Sequence, residues 1–301
     1  MRGRKNPPLV IIPVPDGTPL TFDILAQAYL EDYALQRYRT MNTARGRVEH
    51  LRGFFGGWAA EAITADRVRS YQLHRRKEGA EAATINRETS AMNRMFQLAV
   101  CRGLLERVPL FPKRLEENPP REGFFEHDEY LKVRVHLPEA FQDVLDFAYY
   151  SGWRRNEILG LTWGEVDLPG GIIRLPPRRS KTRTGRVLPI SPPLLAVLTR
   201  RLQSRQPGNP HVFYRDGVPV RAWRTALRDA CRKARVPHRL LHDCRRTAAR
   251  NLIRAGVPER IAMLLTGHKT RAVFDRYNIV NEQELLTAGE RLAAYVGRSG
   301  S

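Results

Sequence analysis

Apolar positions recur three and four apart through most of the first 110 residues, the period of a helix packed on one side. Residues 22–38 form one predicted helix, begun by Thr21 as an N-cap. A second runs through Leu51, Phe54, Phe55 and Trp58, and a third covers 65–78 after Thr64. The fourth has the clearest stripe, with Ile85, Met92, Met95, Phe96, Ala99 and Val100 on one face. Four amphipathic helices of this length predict a compact helical domain over 19–112. Residues 1–18 hold four prolines and read as a tail. Residues 113–124, rich in proline and charge, read as an exposed linker.

From 125 to 301 the pattern mixes periods. Helical spacing marks 126–136, 138–151, 154–161, 192–204, 219–235, 242–255, 258–266 and 281–296. Short β-type runs at 172–175 and 187–190 flank a basic turn at 178–186, and a further short strand is expected at 211–214. No internal repeat is visible.

Charge narrows the choice of partner. The 301 residues contain 51 Lys plus Arg against 31 Asp plus Glu, a net +20. Residues 1–121 hold 20 basic and 13 acidic side chains, a net +7, and 122–301 hold 31 and 18, a net +13. Both halves therefore favour a polyanion. Only 7 of the 51 basic residues are lysine, so Lys181 in the basic turn stands out. Cys101, Cys231 and Cys244 lack metal-site spacing and read as reduced thiols of a cytoplasmic protein. No apolar run approaches a membrane span.

Candidate chemistry lies in the second half. Arg154 and Glu157 are three apart after Gly152, so they can pair on one helix face. Five basic residues and no acid occupy 178–186, including Arg178, Arg179, Lys181 and Arg183. His242 and Arg245 share one side of another helix. His268 follows Gly267 at a helix end, and Tyr277 stands nine residues later. Singly, each has an ordinary structural reading: a surface ion pair, a solvated hairpin tip, a helix C-cap, a packed aromatic.

The order Arg154, Lys181, His242-x-x-Arg245, Gly267-His268 and Tyr277 resembles the tyrosine recombinase (phage integrase) family over about 20–295. Residues 83–110 are similar to the last helix of that family's core-binding domain. The resemblance implies a mainly α fold with a small antiparallel β-sheet. It would comprise an N-terminal four-helix core-binding domain and a C-terminal mixed α/β catalytic domain of tyrosine recombinase type. It implies Tyr277 as nucleophile, Arg154 and Arg245 as phosphate clamps, Lys181 as general acid, His242 as proton acceptor or positioner and His268 as a phosphate contact. Glu157 would orient Arg154. Arg87, Arg94, Arg178, Arg179 and Arg183 would contact DNA, the first two from the fourth helix. No cofactor or metal is implied. The expected partners are double-stranded DNA at two recombination sites and three further copies of the chain, with room for an accessory directionality factor. The expected location is the cytoplasm, at the nucleoid. Integration or excision of a mobile element leads; a resolvase of chromosome or plasmid dimers and a non-catalytic DNA-binding protein remain alternatives. Ser151, Cys244, Arg246 and Thr266 depart from the usual pattern without removing a catalytic group.

Overall fold

The computed structural model describes residues 19–119, 123–180, 184–220, 223–268, 270–274, 285–286, 289–290 and 292–293. The chain divides into two units, Met1–Pro120 and Arg121–Ser301, each with its own apolar core.

Unit one contains α1 (Phe22–Leu35), α2 (Met41–Phe55), α3 (Ala65–Lys77) and α4 (Ala82–Cys101). Helix α4 is the central post because its stripe of Ile85, Met92, Met95 and Phe96 is fully buried against the other helices. Thr64 caps α3 by accepting the Arg67 N–H. A charged cluster lies within this core: Glu88, 1 % exposed, accepts from the Tyr71 hydroxyl at 2.7 Å and from Arg75 at 3.0 Å. A buried carboxylate is tolerated there because it is paired on several sides. The side chain of Asn86 grips the Leu115 backbone from both ends, donating to its carbonyl at 2.8 Å and accepting from its N–H at 2.9 Å. Leu115 and Glu117, in the stretch expected to be an exposed linker, are thereby fastened to α4.

Unit two begins with α5 (His127–Arg134), α6 (Glu139–Ser151) and the short α7 (Arg155–Leu159). A three-stranded antiparallel sheet follows in the order β1 (Val166–Asp167), β2 (Ile172–Leu175), β3 (Arg186–Pro189). Ile173 pairs with Leu188 across the hairpin, and both face the core. Next come α8 (Pro192–Gln203), the hairpin β4 (Tyr214–Arg215) and β5 (Val218–Pro219), and α9 (Trp223–Lys233). Helices α10 (Leu241–Arg254), α11 (Glu259–Thr266) and α12 (Arg271–Phe274) complete the named elements. Strand β1 and the β4–β5 hairpin are too short to give a readable alternation. The strand expected at 211–214 is instead a single bridge from His211 to Thr162, with β4 starting at Tyr214.

Helix α6 is buried on almost every side and carries the unit's core, through Val144, Leu145, Phe147 and Ala148. It ends at Gly152, whose φ of 62° is left-handed. An added Cβ there would lie 2.8 Å from the Ala248 Cβ and 3.2 Å from Thr266 Cγ2. Glycine thus lets α6, α10 and α11 meet at one point, and the candidate site is built around that point.

Candidate active site

Arg154 and His268 project from the ends of helices, and Arg245 from within one. Arg154 is the N-cap of α7, where Glu157 accepts its backbone N–H at 2.9 Å. The same carboxylate accepts from the Arg154 guanidinium at 3.1 Å, so Glu157 fixes both the helix start and the arginine. Arg245 stands in the first half of α10 and is 2 % exposed. It donates to the Gly152 carbonyl at 2.9 Å and to the Thr266 carbonyl.

Helix α11 ends at Gly267, with φ 72° and ψ 42°. The Gly267 and His268 N–H groups both turn back to the Met263 carbonyl, at 2.7 and 3.0 Å. The last carbonyls of a helix carry its negative dipole end and lack partners within it. Here three arginines fill that role. Arg154 donates to the Gly267 carbonyl at 2.9 Å, Arg186 to the Thr266 carbonyl at 3.2 Å, and Arg245 to the same Thr266 oxygen. Segments 113 residues apart are held together by these bonds.

Arg186 is the member that sequence reasoning missed. It counts as one more charge in the basic turn, yet its side chain is only 8 % exposed. It is bonded to the Glu157 carboxylate, and its guanidinium lies 4.9 Å from the Trp153 ring centre. Burial alone would raise the Glu157 pKa, but the Arg186 charge, the Arg154 N–H and the Arg154 charge outweigh it and hold the carboxylate below its usual range. A basic residue that opens a core-facing strand was the available signal.

The histidines differ. His242 sits at the exposed start of α10. Dense surrounding protein, then the Arg245 and Arg246 charges, lower its pKa even though its own surface stays open to solvent. His268 is 9 % exposed, with its ring 5.5 Å from Phe274 on α12. Burial first, then Arg245, Arg154 and His242, push its pKa down to about 3, so the ring is neutral near pH 7. Its Nδ1 lies 2.7 Å from the Thr266 hydroxyl.

The structure therefore brings together Arg154, Glu157, Arg245 and His268, with His242 within electrostatic reach. Lys181, Arg183 and Tyr277 lie outside the described residues. Arg178 is exposed on the turn after β2. Arg179 differs from the expected outward DNA contact: it points inward, to the Glu165 carboxylate and the Glu157 carbonyl, the latter at 2.8 Å. Glu165 supplies an inner partner. On α4, Arg87 and Arg94 are both exposed and line a concavity of about 300 Å³ with Arg47 and Tyr29. The departures from the family pattern are absorbed by packing. Cys244 is fully buried as a small apolar group, Arg246 pairs with Asp243 at 3.5 Å, and Ser151 accepts the Trp153 N–H at 3.1 Å.

Comparison with known proteins fits this geometry. Residues 126–284 match the phage integrase family, and 26–103 match the phage integrase N-terminal SAM-like domain. The chain belongs to the phage integrase family and is a site-specific tyrosine recombinase. It is 26% identical to tyrosine recombinase XerC of Mycobacterium tuberculosis over 298 residues, covering 88% of this chain and 98% of that protein. It is also 26% identical to the integrase of Salmonella phage P22 over 212 residues, 65% of this chain and 53% of that one. Its fold is similar to lambda integrase solved as a tetramer bound to a Holliday junction, with a TM-score of 0.76 and 17% identity. That likeness covers 87% of this chain and 78% of the other. Among the described residues no helix is long and apolar enough to cross a membrane.

Proposed function

We propose that this recombinase integrates or excises a mobile element by cutting and rejoining DNA through a 3′-phosphotyrosine link at Tyr277. The observation that carries the reading is the three-arginine grip on the Thr266 and Gly267 carbonyls, which brings Arg154, Arg245 and His268 to one place beside a carboxylate-held arginine. Two preorganised guanidiniums suit the non-bridging oxygens of a phosphodiester, where charge builds during attack. The Tyr277 oxygen forms a bond to phosphorus as the bond to the 5′ oxygen breaks. The phenolic proton leaves to His242, which is neutral and able to accept it. Lys181 delivers a proton to the departing 5′ oxygen. The new ester retains the energy of the old one, so resealing draws on no ATP.

Strand exchange needs two sites, and four copies of the chain would act together on them. Arg87 and Arg94, with Arg47, are the proposed DNA contacts of unit one, and Arg178 and Arg183 those of the basic turn. The place of action would be the nucleoid, with an accessory factor setting direction. Covalent trapping tests the chemistry. Duplex DNA from around the gene, nicked so that the cleaved fragment escapes, is incubated in chelator and run on a denaturing gel. The wild-type chain is expected to give a shifted band that Tyr277→Phe lacks. A band that persists in Tyr277→Phe would reject the assignment.

A further inference from the structure

Arg179 stands two residues before Lys181, and its surroundings are built to receive it. Its guanidinium is bonded to the Glu165 carboxylate and donates to the Glu157 carbonyl at 2.8 Å. The Glu165 carboxylate is itself fixed, because it also accepts the Thr162 N–H at 3.1 Å. Gly160 ends α7 beside them, and a Cβ added there would lie 2.8 Å from Arg179 Nη2. The backbone is tied at the same place: Arg179 and Ser180 donate their N–H groups to the Pro176 and Pro177 carbonyls, at 3.0 and 3.2 Å. Ser180, the residue before Lys181, is fully buried. On the far side of the basic turn, Arg186 is bonded to the Glu157 carboxylate. Glu157 thus receives both sides of the turn, one through its carbonyl and one through its carboxylate, and it also holds Arg154.

We propose that Arg179 is a positioning residue for the general acid: it fixes Ser180 against α7, so that the chain leaves for Lys181 from a point set relative to Arg154. The proposal rests on the recombinase reading, in which Lys181 protonates the departing 5′ oxygen. A proton donor must come within hydrogen-bond reach of the atom it serves, and that atom is placed by the arginines on the phosphate. Lysine carries its proton on a flexible four-carbon stem, so its reach has a defined target only when its origin is fixed. A turn released from α7 would lose that register without losing a phosphate contact. Arg179 gives its charge to Glu165 inside the fold, so what it contributes to the reaction is placement.

The test uses the full-length chain on a nicked duplex that carries the site mapped by covalent trapping. The duplex is made with either oxygen or sulfur as the bridging atom on the 5′ side. In both, the Tyr277 oxygen bonds to phosphorus as the bond to the bridging atom breaks. The oxygen needs a proton to leave, whereas the sulfur leaves as a thiolate, since a thiol ionises near about pH 8.5. Arg179→Ala is expected to cleave the oxygen duplex about 10²-fold more slowly, the order for misplacing one acid–base group, and the sulfur duplex at the wild-type rate. Lys181→Ala is expected to behave in the same way, with a larger loss on oxygen. Glu165→Gln is expected to show a smaller loss, again confined to oxygen, and it carries the test if Arg179→Ala does not fold. In a folded variant, an equal loss on both duplexes, or no loss on oxygen, would overturn the proposal. A Lys181→Ala loss that sulfur does not restore, or no cleavage of either duplex by wild type, would overturn the recombinase reading and the proposal with it.

Discussion

At Gly152 two demands coincide: a left-handed φ of 62° and a space too small for a Cβ. Alanine would meet both penalties, since positive φ strains any L side chain and the Ala248 methyl would have to move. We expect Gly152→Ala to cost about 2–3 kcal/mol in urea unfolding and to slow cleavage, because the Gly152 carbonyl also holds Arg245. His268 gives a second residue-level prediction. Its folded pKa, about 3, lies below the ordinary histidine value of 6.5. The unfolded chain therefore binds the extra proton first as pH falls. Stability from this group is complete above pH 6.5 and is lost progressively as pH drops toward 3. Between pH 7 and 5 the loss is about 2 kcal/mol, in a window above the range where carboxylates titrate. His268→Gln should flatten that part of the stability–pH curve. An unchanged slope would mean that the ring is protonated in the folded protein.

Among the elements, β3 does more than complete a sheet. Its first residue, Arg186, inserts a charge between Glu157 on α7, Trp153 after α6 and the Thr266 carbonyl at the end of α11. Arg186→Met keeps the stem and removes the charge, which leaves the buried Glu157 carboxylate with Arg154 as its remaining partner. We expect a loss of about 3 kcal/mol. Adding Glu157→Gln should recover part of it, because the uncompensated charge is then gone. Additive losses in a double-mutant cycle would show that the two side chains are not coupled. This element also shows where sequence reading stops. The long helices were legible because their apolar stripes span three or more turns, as in α4 and α6. The paired Arg154 and Glu157 were legible because helix periodicity fixes neighbours three apart. Arg186 was not, because its partners, the Glu157 carboxylate and the Thr266 carbonyl, come from segments about 30 and 80 residues away. The inward turn of Arg179 was hidden for the same reason: composition counts a charge but does not say which way it faces.

At the scale of the whole molecule, the net charge of +20 is divided between exposed arginines and arginines consumed inside the fold. Arg87 is exposed on α4, whereas Arg179 is spent on Glu165 and the Glu157 carbonyl. The two kinds should separate in their response to salt. Each phosphate contact releases condensed counterions, so the logarithm of the binding constant falls with the logarithm of salt concentration by about 0.9 per contact on duplex DNA. Arg87→Ala should therefore weaken binding across sequences and reduce that slope by about 1. Arg179→Ala should leave the slope unchanged while lowering the unfolding midpoint, since it breaks a partly buried ion pair without removing a phosphate contact. The measurement is fluorescence anisotropy of the full-length chain on a labelled duplex between about 50 and 200 mM salt. A slope that falls equally in both variants would mean that Arg179 leaves Glu165 to reach the backbone when DNA binds. A slope unchanged in Arg87→Ala would remove the concave face of α4 from the DNA contact.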